Sequence, residues 1–373
     1  MARQGLRILD SDMHVLEPVD LWQRHIDPAF RDRAPVGLGD QQITLEGRDL
    51  IGVDVKSKPA YFEAERRDRV YGDHAKLEWS PEAQLLGMEK EGIDLAVLFP
   101  TRALFTHSVD GIDPRFADAI GRAFDDWLFG FCQHAPDRLR GVGHVSPHDM
   151  DLAVAQTRRC VEELGFVGIF LRSQIANERN WYDAFYDPLW AECERLGVPV
   201  CFHGAANPPG TSEIAKVGSH FEGLMLTNTV AHSMPAMLAT IAFTAGGILE
   251  RFPGLRVAFL EGNCSWVPWL FWRLDEKYEW LGGIDASDLS MPPSEYFKRQ
   301  CFVSTDCDEA PAKYLVDAGY EDTVVFSTDY PHNDSKFPHA VDEFLAMDLP
   351  EAVSRKWLWD NCARLYGLDE SSD

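Results

Sequence analysis

Eight short runs of apolar residues, rich in β-branched and aromatic side chains, recur along this chain with helical periodicity between them. They are RILDSD (7–12), LAVLF (95–99), LRGVGHV (139–145), VGIFL (167–171), PVCFH (199–203), RVAFLE (256–261), FVST (302–305) and VVFST (324–328). Runs this short and this uniformly apolar suit strands buried on both faces, and the helices between them supply the cover. Strand and helix in alternation predict parallel strands joined by crossovers rather than a sandwich. With eight of each, the expected fold class is α/β, a (β/α)8 TIM barrel.

The helix starts carry their own signals. Ser80-Pro81 precedes EAQLLGMEKEG and Asp113-Pro114 precedes RFADAIGRAFDDWLFGFC, each pairing a capping side chain with proline in the first turn. Further helices are expected over DLAVAQTRRCVEELG, DPLWAECERLG, residues 234–249, WVPWLFWRLDEKYEWL, APAKYLVDAG and SRKWLWDNCARLYGL. One interval breaks the rhythm: residues 18–79 separate the first strand from its helix, where an ordinary βα loop takes roughly two to six residues. QQITLEGRDLIGV inside it reads as a hairpin, so 18–79 is expected to be a lid on the catalytic face, and 204–233, which carries NPPG, a second lid loop. The whole chain, 1–373, then makes a single barrel domain.

Charge narrows the partners. With 35 basic against 60 acidic residues the net charge is −25, which repels nucleic acid and anionic membrane surfaces alike. The eight cysteines form no CxxC pair and several lie in apolar patterns, as reduced, buried thiols do. MARQGLRILD has no apolar signal core, and the greasiest stretch, 234–249, is too short and too rich in Pro and Gly to span a membrane. A cytoplasmic protein is expected. Trp266, Trp269, Trp272 and Trp280 form a stripe that fits core packing or a homodimer face.

Chemistry in such a barrel sits at the C-terminal ends of the strands. There the chain is unusually polar. Asp12 and His14 end the first strand, two apart and so on one face, with Glu17 just beyond; His203 ends the fifth, Glu261 the sixth, Asp306 the seventh, and Asp329 the eighth, with His332 three residues on and His232 opening the helix after the second lid. Carboxylates crowded without lysine or arginine raise one another's pKa values, a cost that a bound metal ion removes. His144 and Arg172, at the ends of the third and fourth strands, fit either substrate binding or loop bridging. No GxGxxG, GxxxxGK[ST] or GxSxG motif is present in the context its chemistry needs.

DSDMHVLEP, CFHG, AHSMPAM, GGILERFPGLRVAFLEGNCSWVPWLFWRLDE, STDYPH and NCARLYGL together resemble the amidohydrolase-related metal-dependent TIM barrels over nearly the whole chain. The chain departs from their hydrolases: DxH stands where HxH or ExH is common, Glu261 where a histidine is common, and FLRSQ holds no lysine to bridge two metals. DxHxxE with LEGNCSW is similar to a branch of TIM-barrel nonheme diiron monooxygenases of diterpenoid (platensimycin and platencin) biosynthesis. That resemblance implies two iron ions held by Asp12, His14, Glu17, His203, His232, Glu261 and Asp329, with Asp306 and His332 orienting ligands or relaying protons. It further implies O2 as co-substrate, an apolar substrate carried as a coenzyme A (CoA) thioester, and electrons from a ferredoxin and ferredoxin reductase. Lys56, Lys58, Arg66, Arg67 and Arg69 are the best cluster for a CoA phosphate, or equally a solvated lid face.

A different reading needs one ion only. A mononuclear Zn or Mn site would serve an amidohydrolase-type hydrolase or a nonoxidative decarboxylase of a small carboxylic acid, with Asp329 as acid or base. A binding barrel without catalysis is the third.

Overall fold

A computed structural model of the chain describes residues 5–38, 42–50, 69–204, 221, 224–286, 288–332 and 334–368. All eight expected runs form strands: β1 (Leu9–His14), then, after the hairpin strands β2 (Val36–Leu38), β3 (Gln42–Leu45) and β4 (Arg48–Asp49), β5 (Leu95–Phe99), β6 (Leu139–Gly141) with β7 (Gly143–His144), β8 (Ile169–Arg172), β9 (Val200–His203), β10 (Val257–Leu260), β11 (Cys301–Thr305) and β12 (Val324–Phe326). The hydrogen-bonded order is β1-β5-β6 and β7-β8-β9-β10-β11-β12, all parallel. Val167 N donates to Gly141 O at 3.0 Å and Gly143 N to Gly168 O at 2.9 Å, which joins the two arcs. Ser11 Oγ donates to Phe326 O at 2.6 Å, Ser327 Oγ to Asp12 O at 3.3 Å and His14 N to Tyr330 O at 2.6 Å, and these close the ring as a TIM barrel.

The third run splits at Val142, and the helix outside packs closely against its second part. A Cβ at Gly143 would fall 2.6 Å from Cys160 Sγ, so only glycine admits that approach. Along β9, period two sorts the core into two layers. Phe202 faces outward to Trp181, Trp190 and Phe243, while His203 faces inward to Phe99 and Phe170. The hairpin within 18–79 forms as expected, and Gly37 N of β2 donates to Val19 O at 3.1 Å.

Several helices differ from expectation. Residues 234–249 break into Ser233–Phe243 and Ile248–Arg251, because Gly247 turns left-handed at φ 79°. APAKYLVDAG becomes a 3-10 turn, Ala310–Lys313, and one helical turn, Tyr314–Asp317, and the C-terminal segment carries a π-helical stretch, Lys356–Asp360. Helix Pro293–Gln300 fills a place no sequence signal had marked. In helix Val267–Asp285, Trp269, Trp272 and Trp280 are exposed rather than packed, at 57, 64 and 70%. The eight cysteines are all buried and unpaired. Among the described residues no helix is long and apolar enough to cross a membrane.

Candidate metal centre

β1 and β5 pair Asp10 with Ala96 and Met13 with Leu98, so an irregularity between Asp10 and Met13 shifts the register. Such bulges re-aim side chains next to active sites. Here both Asp12 and His14 come within reach of His203.

The tautomers of the two histidines follow from their partners. His14 Nδ1 donates to Pro100 O at 2.7 Å, and His203 Nδ1 donates to Gly204 O at 2.6 Å. Each Nε2 is then a lone-pair acceptor. Those two acceptors face each other at 3.0 Å. Around them stand only more acceptors: Asp12 Oδ1 at 3.5 and 3.4 Å from His14 and His203 Nε2, Asp329 Oδ1 at 3.3 Å from His14 Nε2, and Glu261 Oε2 at 3.1 Å from His203 Nε2. Among the described residues, no hydrogen-bond donor reaches either carboxylate oxygen of Asp12, or Glu261 Oε2.

Burial, then His332 and His203, holds the His14 imidazole well below the usual histidine range. Burial, then neighbouring carboxylates, pushes Glu261 and Asp329 well above the usual carboxylate range. Each buried acceptor left without a donor costs about 1–3 kcal/mol. A divalent cation among them replaces repulsion by attraction, and imidazole with carboxylate is a donor set suited to such ions. The residues fit a metal.

Backbone strain marks the same place. Glu261 and Asp329 sit in the left-handed region at φ 45° and 56°, where a non-glycine residue pays about 1–3 kcal/mol. Glu261 N donates to Ser304 Oγ at 2.9 Å and His332 N to Asp329 O at 2.9 Å, which fixes both turns.

His332 joins the cluster with His14, Glu261 and Asp329. Its Nδ1 lies 2.7 Å from Asp329 Oδ1 and its Nε2 3.0 Å from Thr101 Oγ1. His232 meets the centre at Glu261, with Nε2 3.3 Å from Oε1; burial holds its pKa near 4. Asp306 is at the rim, accepting from Asn263 Nδ2 at 2.7 Å, and desolvation followed by Glu309 pushes it up to about 7.

Glu17 is drawn away from the centre. Its carboxylate accepts from three backbone amides after β5, Thr101 N at 3.1 Å, Arg102 N at 2.8 Å and Ala103 N at 3.0 Å, so both oxygens are occupied. It builds the loop rather than offering a ligand. His144 is likewise a loop bridge, its Nε2 2.7 Å from Ala103 O. Sequence reasoning missed Asp10, which accepts from Asp12 N at 3.1 Å and Thr328 N at 3.3 Å, and which burial pushes up to about 7. Thr101 was missed too, since a threonine after a strand carries no signal of its own. Lys56, Lys58, Arg66 and Arg67 lie outside the described residues, as does most of 204–233.

The family model described as "Amidohydrolase" matches residues 10–368. Gamma-resorcylate decarboxylase of Rhodococcus jostii is 33% identical over 263 residues, which cover 67% of this chain and 77% of that protein. Among solved structures, an amidohydrolase from Mycobacterium avium subsp. paratuberculosis superposes with a TM-score of 0.78 at 22% identity, over 97% of this chain and 100% of that one. A dihydroxybenzoic acid decarboxylase from Polaromonas sp. JS666, solved with bound manganese, gives 0.64 at 21% identity over 99% and 98%.

These relatives overturn the expectation of a nonheme diiron monooxygenase, an iron-dependent oxidoreductase using O2. The physical reason lies in the donors. Glu17 is spent on backbone amides, and the two groups of mutually close donors, His14-Glu261-Asp329-His332 and Asp12-His14-His203, share His14. The CoA and ferredoxin partners belong to that monooxygenase reading and fall with it.

Proposed function

The chain belongs to the amidohydrolase family, and from that premise we propose that it is a metal-dependent nonoxidative decarboxylase of a hydroxylated aromatic carboxylic acid. The reaction class comes from its decarboxylase relatives. The observation that carries the reading is the facing pair of lone-pair nitrogens, His14 and His203 Nε2, ringed by acid oxygens. Asp12, His14, His203 and Asp329 would hold one divalent ion, Mn or Zn. One ion is favoured because His14 belongs to both donor groups, and a single Nε2 lone pair serves a single ion.

When bound, the ion supplies a positive charge that orients an anionic substrate and offsets the charge of the surrounding carboxylates. The rest is the work of side chains. Decarboxylation breaks the bond between ring and carboxyl carbon, leaves the electron pair on the ring and needs a proton at that carbon as CO2 departs. Asp329, whose Oδ1 stands beside His332 Nδ1, would pass that proton to the ring from a carboxyl oxygen. His332 Nδ1, 2.7 Å from Asp329 Oδ1, is placed to return it from the Thr101 side. Phe99 and Phe170, against the His203 ring, make a dry floor on which an aromatic ring packs. Asp306 and His232 tune Glu261 from the rim.

Incubation of the manganese-loaded protein with 2,6-dihydroxybenzoate and related hydroxybenzoates, anaerobically and under air in parallel, tests this. Release of CO2 with the matching phenol, abolished in Asp329→Asn, is expected. Consumption of O2 with a hydroxylated acid as product would overturn it.

A further inference from the structure

The centre gathers acids, yet the proposed substrate is itself an anion, so some fixed cation has to hold it besides the ion. Arg172 is in position. It ends β8 directly beside His203, its partner in the parallel register. Phe170, two residues earlier, points into the barrel against the rings of Phe99 and His203, and residues two apart on a strand share a face. Arg172 therefore rises over the aromatic floor next to the metal-binding histidine.

Its setting is built rather than incidental. The residue is only 5% exposed, its Nε donates to Gln174 Oε1 at 3.1 Å, and its guanidinium carbon lies 5.2 Å from the centre of the Phe105 ring. A small cavity of about 10 Å³, with His107, Phe170, Gln174 and Trp181 in its wall, opens beside it. That is room for about one oxygen atom, so one oxygen of a substituent fits there and a whole aromatic acid does not. Burial lowers the guanidinium to about 9 while Glu261 pulls it back up, which places its charge within reach of the centre. Arg102, a second buried arginine among the described residues, is coupled to Glu17.

Which oxygen the guanidinium takes follows from the reaction. As CO2 leaves, negative charge drains from the carboxylate into the ring. A fixed cation on the departing carboxylate would stabilise the ground state more than the transition state and slow the step. A cation on a group that keeps its charge does no such harm. We propose that Arg172 binds a second, non-reacting anionic substituent of the substrate, a ring carboxylate or phenolate, and so selects aromatic acids that carry one. This rests on the decarboxylase reading for the substrate class, but binding at equilibrium does not depend on turnover.

The test is calorimetric titration of the manganese-loaded protein with isophthalate and with benzoate. Wild type is expected to bind isophthalate at least roughly tenfold more tightly than benzoate, the scale of one charge-assisted hydrogen-bonded pair. Arg172→Gln should remove that preference with benzoate affinity unchanged. Arg172→Lys should recover part of it, a point charge without the two-pronged fork. Equal wild-type affinities, or a Gln variant that weakens both ligands alike, would overturn the proposal without touching the decarboxylase. An Arg172-dependent preference in a protein that releases no CO2 from any such acid would sustain the subsite and defeat the reaction.

Discussion

Gly87 lies under the ring of Tyr330, so close that a Cβ on Gly87 would fall 2.8 Å from Tyr330 Cζ. Tyr330 follows Asp329 in the chain, and its carbonyl accepts from His14 N at 2.6 Å. A helix on the outside of the barrel thus fixes the distance between two residues of the metal centre. Gly87→Ala should lower stability by about 1–3 kcal/mol through overpacking. It should also weaken metal binding, read by thermal melting and by competition with a chelator, although position 87 touches no ligand.

Glu17 separates a ligand from a scaffold. Glu17→Gln turns one of three amide contacts into a donor facing a donor and costs about 1–3 kcal/mol in a denaturant titration. Metal content should hold. A variant that folds normally but loses its ion would return Glu17 to the ligand set.

Acid should unfold the protein through buried histidines outside the proposed ligand set. Burial lowers His144 and His148 to about 4, so above about pH 6.5 both states leave them neutral and their packing is fully tolerated. As pH falls towards 4 the unfolded chain takes up protons that the folded one refuses, and stability drops by up to about 1.4 kcal/mol per pH unit for each group. Asp125, raised to about 6 by burial, runs the opposite way and gains stability as pH falls from 6 towards 4. His144→Asn should flatten the acid limb and Asp125→Asn should steepen it, as measured by melting temperature against pH. Parallel curves for all three proteins would refute the assignment.

Thr101 meets His332 on the side away from Asp329. Thr101→Val removes that hydroxyl and should lower kcat by about tenfold with KM nearly unchanged, the signature of a proton-transfer step rather than of binding. Metal content measured in parallel distinguishes this from damage to the centre.

The barrel was legible because each parallel strand is covered on both faces and so announces itself as a short apolar run. Helix Pro293–Gln300 was not, since its PSEYFKRQ is polar except for Tyr296 and Phe297. The centre was legible in outline: Asp12, His14, His203, Glu261 and Asp329 converge as strand-end residues should. Glu17 misled because an acid after a strand reads alike whether it faces an ion or three amides, and only the path of residues 101–103 decides. The left-handed turns at Glu261 and Asp329 left no trace in sequence, because glycine is the usual sign of such a turn and neither position has it.

The facing nitrogens of His14 and His203, ringed by acid oxygens, are the observation on which the proposed ion rests. Elemental analysis of the protein grown without metal supplementation, repeated on Asp12→Ala and His14→Ala, measures this directly. About one manganese or zinc per chain, lost in both variants while the fold persists, is the predicted result. Two irons per chain, or no ion at all with both variants unchanged, would contradict it.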